Sequence, residues 1–152
     1  MNTLSAPGFG HIEARKRGRI GELLCGYLLA SRCGVEVVHV DFQGVDILAN
    51  DPVHGVIKVE CKSAHKLTQS RPGVGKPYLH FAVSSGSKKR VPICPDRVDV
   101  VALVDVLGER VIFKPVASLQ KKLSLKLRPE HFEKPDLEAS SWQETLRVIS
   151  SL

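Results

Sequence analysis

The spacing of apolar positions changes character along the chain. From about His11 to Arg32 the period is helical: Ile20, Leu23, Leu24, Tyr27 and Leu28 recur at the spacing of one helix face. Gly34, just past Cys33, suits a helix stop because glycine accepts left-handed backbone angles without a steric penalty. The pattern then becomes extended. Val35–Val40, Val45–Ala49 and Val56–Ser63 predict three strands, with Asn50, Asp51, Pro52 and Gly55 making the turn before the third.

Residues 66–76 read as a polar loop, followed by a strand over Tyr78–Ser84. The stretch SSGSKKR breaks that strand, and Pro92 and Pro95 keep the chain irregular as far as Asp96. Val98–Leu107 and Val111–Phe113 predict a hairpin turned at Leu107-Gly108-Glu109. Val116–Lys122 predicts a short helix between Pro115 and Pro129, and residues 129–139 a charged connector. Ser141 and Glu144 have the spacing of a capping box, so a last helix is expected to open at Ser141, with Trp142, Leu146 and Ile149 on its buried face. The order α-β-β-β-β-β-β-α predicts an α/β (α+β) domain built on a mixed central sheet flanked by helices.

The length of 152 residues suits one domain. Residues 1–9, with Pro7 and Gly8, read as a flexible arm, and 10–152 as a single domain. Within it the core is expected at about 15–114 and a C-terminal helical extension at 115–152.

Charge sharpens the picture. The formal net charge is +6 and the sequence pI is near 9.3. That balance suits an anionic partner, nucleic acid before an anionic membrane surface. Arg15, Lys16, Arg17 and Arg19 crowd the start of the first helix, and Lys88, Lys89 and Arg90 follow a Ser-Gly-Ser stretch; both clusters are candidate DNA contacts. Lys121, Lys122, Lys126 and Arg128 form a third basic stretch, which can track phosphates but reads first as a solvated helix face.

The four cysteines, Cys25, Cys33, Cys61 and Cys94, make no CxxC pair and have no histidine at zinc-ligand spacing. Cys25 and Cys61 read as buried free thiols. No signal-peptide pattern and no apolar run of membrane-spanning length is visible, so the expected setting is cytoplasmic, associated with a nucleoid or viral in a host cytoplasm. No Walker loop or dinucleotide fingerprint appears, which argues against a nucleotide cofactor. Ser84 and Ser85 have no identifiable base partner, so a serine hydrolase finds no support.

Candidate chemistry concentrates in VDILANDPVHGVIKVECKSA. Asp46 sits inside one apolar strand, and Glu60 and Lys62 inside the next. Unpaired charges are costly in such places. Glu60 and Lys62, two apart, project from the same strand face, and a short connection lets the strands pair with Asp46 beside Glu60. Two close carboxylates invite a hard divalent cation such as Mg²⁺. Such an ion would activate water at a phosphodiester, with Lys62 stabilising the growing charge. The alternative is a plain cross-strand ion pair between Lys62 and either carboxylate. Glu22, at the edge of the first helix's apolar stripe, can reach the same cluster or pair with Arg19 at the surface. His65 reads first as a loop histidine, and His80 as structural or DNA-facing.

The run GRIGELLCGYLLASRCGVEV, then GVDILA, then VIKVECKSA resembles the PD-(D/E)XK phosphodiesterase superfamily. Gly18 to Glu22 matches its helical GxxxE, Asp46 its aspartate, and Glu60-Cys61-Lys62 its E-x-K; Val45 stands where the family's proline is expected. The resemblance covers about residues 15–106. The later portion is similar to small homing-type endonucleases of group I introns, and the early half to archaeal Holliday-junction resolvases. By that resemblance the fold is a four-stranded mixed sheet flanked by helices, restriction-endonuclease-like. Asp46, Glu60 and the Cys61 backbone carbonyl would bind Mg²⁺, with Mn²⁺ able to substitute. Glu22 would assist directly or through water, and Lys62 would be the catalytic lysine.

The expected activity is Mg²⁺-dependent DNA endonuclease cleavage of the homing type, leaving a 5′ phosphate and a 3′ hydroxyl. The alternatives are a Holliday-junction resolvase and, in another class, a non-catalytic nucleic-acid-binding protein of the same fold. Cutting a duplex with one centre per chain implies a homodimer or higher symmetric assembly.

Overall fold

The computed structural model describes residues 13–86 and 89–152. The expected arm at 1–9, the helix start at His11 and the candidate contact Lys88 lie outside the described residues. Helix α1 spans Ala14–Cys33 and stops at Gly34, whose φ of 68° places it in the left-handed region, as the stop signal predicts. Strands β1 (Glu36–Phe42), β2 (Val45–Asp51) and β3 (Gly55–Ala64) follow. Then come β4 (Leu79–Ala82), β5 (Ser84–Ser85), β6 (Val91–Pro92), β7 (Val100–Asp105), β8 (Arg110–Pro115) and β9 (Ser124–Leu127). Helix α2 closes the chain at Leu137–Ser150.

The central sheet has five strands, in the order β1-β2-β3-β7-β8, one more than the four implied by family resemblance. Only β3 and β7 run parallel; the other neighbours are antiparallel, so the sheet is mixed and the fold is α+β. β7 is buried along nearly its whole length, as a central strand covered on both faces should be.

Both helices lie on the same face. Cys25, Leu28 and Leu29 of α1 join Trp142 and Leu146 of α2 against Ile47, Val59, Ala102 and Phe113. The opposite face packs Val101, Leu103 and Ile112 against Leu79 and Phe81 of β4 and, partly, Leu125 and Leu127 of β9. β4 and β9 form a separate antiparallel two-stranded ribbon.

Four expectations need correction. The buried stripe of α1 runs through Gly21, Cys25, Leu28 and Leu29, while Leu23 and Tyr27 are exposed. Small residues face the sheet there because the helix lies too close for large ones. α2 opens at Leu137, not Ser141. Glu138 is fully buried, accepting hydrogen bonds from Arg110 and from the Val111 amide, and this draws the chain into the helix a turn early. Ser141 instead receives the Phe113 amide on its hydroxyl. The short helix expected over Val116–Lys122 is a single 3-10 turn, Val116–Leu119. Finally, the basic stretch expected on a helix contains β9. Leu125 and Leu127 alternate with Lys126 and Arg128, and that period-2 pattern decides the element once the two leucines reach the core.

Candidate active site

The β1–β2 connection is a two-residue turn, Gln43-Gly44, with φ of 53° and 85°. Two successive positive φ values turn a hairpin with the right twist, and the second favours glycine. From there β2 pairs with β3 from Asp51↔Gly55 as far as Ile47↔Val59 and no further. β3 continues beside β7 to Ala64↔Asp105. Asp46 and Glu60 therefore stand where two strands part. At this fork the Cys61 amide has lost the strand carbonyl it would meet in a continuing ladder. The Asp46 carboxylate takes it instead, with N–H donating to Oδ2 at 2.7 Å.

Beyond the fork Glu60, 5% exposed, and the half-buried Lys62 pair at 2.7 Å, Nζ to Oε2. Lys62 also donates to the Ser84 backbone carbonyl at 2.9 Å. Ser84, which carries no nucleophilic role in the sequence pattern, thus matters through its main chain. Its hydroxyl accepts from Arg90 at 3.2 Å.

α1 brings the fourth group. It crosses β3 so closely that a Cβ built on Gly21 would fall 1.8 Å from the Ser63 hydroxyl oxygen. This approach carries the neighbouring Glu22 to Asp46, and the two carboxyl groups share a hydrogen bond. Gly18, the glycine of the GxxxE pattern, meets nothing within 4 Å; the glycine that sets the spacing is Gly21.

The electrostatics follow from burial among like charges. Burial, reinforced by Asp46, raises Glu22 to about 7. Burial raises Asp46 as well, against the lowering effect of the Cys61 amide. Burial also raises Glu60, opposed by Lys62. Three carboxyl groups held reluctant to ionise around one lysine describe a site short of positive charge.

Glu22, Asp46, Glu60, Cys61 and Lys62 all line one open pocket of about 680 Å³, together with Arg17, His65 and Arg90. The His65 ring meets the Arg17 carbonyl at 2.9 Å, tying the end of β3 to α1. A second pocket, of about 750 Å³, shares Glu22 and Asp46 and adds Arg15, Lys16 and Arg19. The carboxyl pair is thus approached by basic residues on both sides. Lys89 is exposed on the hairpin loop and Arg90 reaches into the first pocket.

Among the described residues no three His, Cys, Asp or Glu side chains form a ready metal cage. What the fork offers a metal is fewer, harder donors: the Asp46 and Glu60 carboxylates, with Glu22 nearby. That set fits an ion that keeps part of its water, as Mg²⁺ does, rather than one needing a complete protein cage. The four cysteines are free, with Cys25 and Cys61 in hydrogen-bond contact beneath the site.

The fold has a solved counterpart. It is similar to the structure of a bacterial homing endonuclease, I-Ssp6803I, at a TM-score of 0.64 and 16% sequence identity, covering 91% of this chain and 97% of that one. That likeness shows an endonuclease-like fold. No family model and no curated protein matches the chain by sequence. Among the described residues no helix is long and apolar enough to cross a membrane.

Proposed function

We propose that this protein is a divalent-metal-dependent DNA endonuclease of the PD-(D/E)XK type. The single observation that carries the reading is the fork between β2 and β3, which gathers Asp46, Glu60 and Lys62 with Glu22 in one basic-rimmed pocket. A structural ion pair alone accounts for Glu60 and Lys62. It does not account for Glu22 and Asp46, two carboxyls turned toward each other at a cost in ionisation.

Asp46, Glu60 and the Cys61 carbonyl would hold the metal, Mg²⁺ or Mn²⁺ in its place, with Glu22 joining directly or through water. The bound ion supplies a more acidic water and Lewis-acid polarisation of a phosphate oxygen. The protein's own groups do the rest. The Ser84 carbonyl and Glu60 hold the Lys62 ammonium at the pocket wall. From there Lys62 stabilises negative charge as it grows on a phosphate and orients the attacking water. Arg17 and Arg90 bind the flanking backbone. Arg15, Lys16, Arg19 and Lys89 extend that contact beyond the pocket. In-line attack leaves a 5′ phosphate and a 3′ hydroxyl.

Within this class a homing-type, sequence-specific endonuclease is the reading we favour, because the solved counterpart is described as a homing endonuclease. One pocket cuts one strand, so cutting a duplex calls for a homodimer or a larger symmetric assembly.

The test is plasmid cleavage. Purified protein with Mg²⁺ should nick or linearise supercoiled plasmid, and chelation should abolish this. Lys62→Ala and Asp46→Asn should each lose at least about 100-fold in rate, a common cost of removing a charge-stabilising group. Binding without cleavage in Mg²⁺ or Mn²⁺ would leave a nucleic-acid-binding protein with a silent site. Preferential symmetric nicking of a four-way junction would move the reading to a resolvase.

A further inference from the structure

The β4–β9 ribbon joins two parts of the chain that contain no acidic residue. There is no Asp or Glu between Glu60 and Asp96, a stretch with seven lysines and arginines. There is none between Glu109 and Glu130 either. β4 belongs to the first stretch and β9 to the second. Antiparallel pairing brings them together with His80 opposite Lys126.

The ribbon has two distinct faces. Leu79 and Phe81 of β4 are buried in the core, with Leu125 and Leu127 of β9 packed beside them. The alternate residues point away, and His80, Lys126 and Arg128 are exposed. Lys126 is not loose there: its ammonium sits 5.1 Å from the centre of the Tyr78 ring. At the other end of the same face, Ala82 lines the candidate active-site pocket, and two residues on Ser84 holds Lys62. The outward face is therefore a cationic track that ends at the candidate active site.

We infer that the outward face of the β4–β9 ribbon, through His80, Lys126 and Arg128, binds the nucleic-acid duplex and leads it into the pocket. The inference rests on the nuclease reading only for what lies at the end of the track. Charge complementarity selects a polyanion. A two-stranded ribbon has the width that the major groove of B-DNA admits, whereas a membrane surface would call for an apolar stripe, and this face has a single aromatic ring. Lys126 and Arg128 meet phosphates.

The experiment measures anisotropy of a fluorescent linear duplex in EDTA, where cutting cannot occur, across a range of salt. A His80→Ala, Lys126→Ala, Arg128→Ala triple variant should bind about tenfold or more weakly near 0.1 M salt. The slope of log affinity against log salt should flatten by about two, the signature of two lost phosphate contacts. Lys126→Glu alone, at an exposed position, should lose affinity in the same direction. Arg147→Ala, on the helix-bearing side and paired with Glu144, should change neither quantity.

Unchanged binding by the triple variant overturns the inference. So does an equal loss in Arg147→Ala, which would mark a simple net-charge effect, and so does stronger binding to anionic vesicles than to duplex. Cleavage is scored separately with Mg²⁺ and plasmid. A wild type that binds through the ribbon but never cuts would sink the nuclease reading and leave the ribbon standing. A wild type that cuts, beside a ribbon variant that binds and cuts equally well, would do the reverse.

Discussion

Replacing Glu22 by glutamine separates what the site needs for chemistry from what it costs the fold. In the folded protein burial and Asp46 raise Glu22 from 4.5 to about 7. A carboxyl whose folded value is raised contributes stability that is whole below the unfolded value and lost as pH rises through the folded one. The window is therefore about pH 4.5 to 7, and above it the metal-free protein carries the full penalty. The displacement corresponds to about 3 kcal/mol if it fell on one group. Here the proton is shared with Asp46 and the pocket is open to water, so about 1–2 kcal/mol is the expected share. Glutamine cannot ionise, yet it still donates a hydrogen bond to Asp46. Glu22→Gln should therefore melt close to the wild type at pH 4.5 and higher than it at pH 8, by roughly 2–8 °C for a chain of this length. The assay is thermal unfolding in EDTA across that range, followed by circular dichroism. Added Mg²⁺ should raise the wild-type melting point at pH 8 more than that of the variant, narrowing the gap. A variant that melts below the wild type at pH 8, or a gap independent of pH, would refute the argument.

Other outcomes follow from individual contacts. Gly44→Ala should destabilise the fold by about 1–2 kcal/mol, since φ is 85° and its Cβ would sit 3.0 Å from the Glu60 Oε1, and it should also slow cleavage; denaturant melts and plasmid assays check both. Glu138→Ala should cost about 3–5 kcal/mol in urea unfolding, because it strands the Arg110 guanidinium and the Val111 amide around a fully buried position. Gly21→Ala should cost about 1–3 kcal/mol in denaturant melts and slow cleavage, because an added Cβ would meet the Ser63 hydroxyl oxygen at 1.8 Å and its Cβ at 3.0 Å, so Ser63 must turn aside and the helix seat loosens. Arg90→Ala should weaken duplex binding and, through Ser84, slow the cleavage step as well, read as separate changes in affinity and single-turnover rate.

Much of the frame is legible in the chain because it depends on local periodicity. The stop at Gly34, the three strands after it and the hairpin around Gly108 follow from spacing and turn residues. The clustering of Asp46, Glu60 and Lys62 is legible for a different reason: charged residues inside apolar strands demand an explanation. What stayed hidden depends on partners far away in sequence. β9 looks like a basic helix face until Leu125 and Leu127 meet the core beside β4. Ser141 looks like a cap until Arg110, 28 positions before Glu138, pulls the helix start back to Leu137. Ser84 acts through a backbone carbonyl, which every residue type possesses, so no side-chain pattern marks it.

The parting of β2 from β3 also bears on how mutants of this centre should be read. Asp46 closes an open hydrogen bond of the sheet while it faces the pocket. Under the proposed nuclease reading, alanine at that position would silence the chemistry and unravel the strand end together, and lost cleavage would then say little about which was removed. Asparagine keeps a carbonyl oxygen for the Cys61 amide while an uncharged amide nitrogen replaces the second carboxylate oxygen. In this architecture the masonry and the machinery are one atom apart, and only an isosteric replacement can take one away while leaving the other.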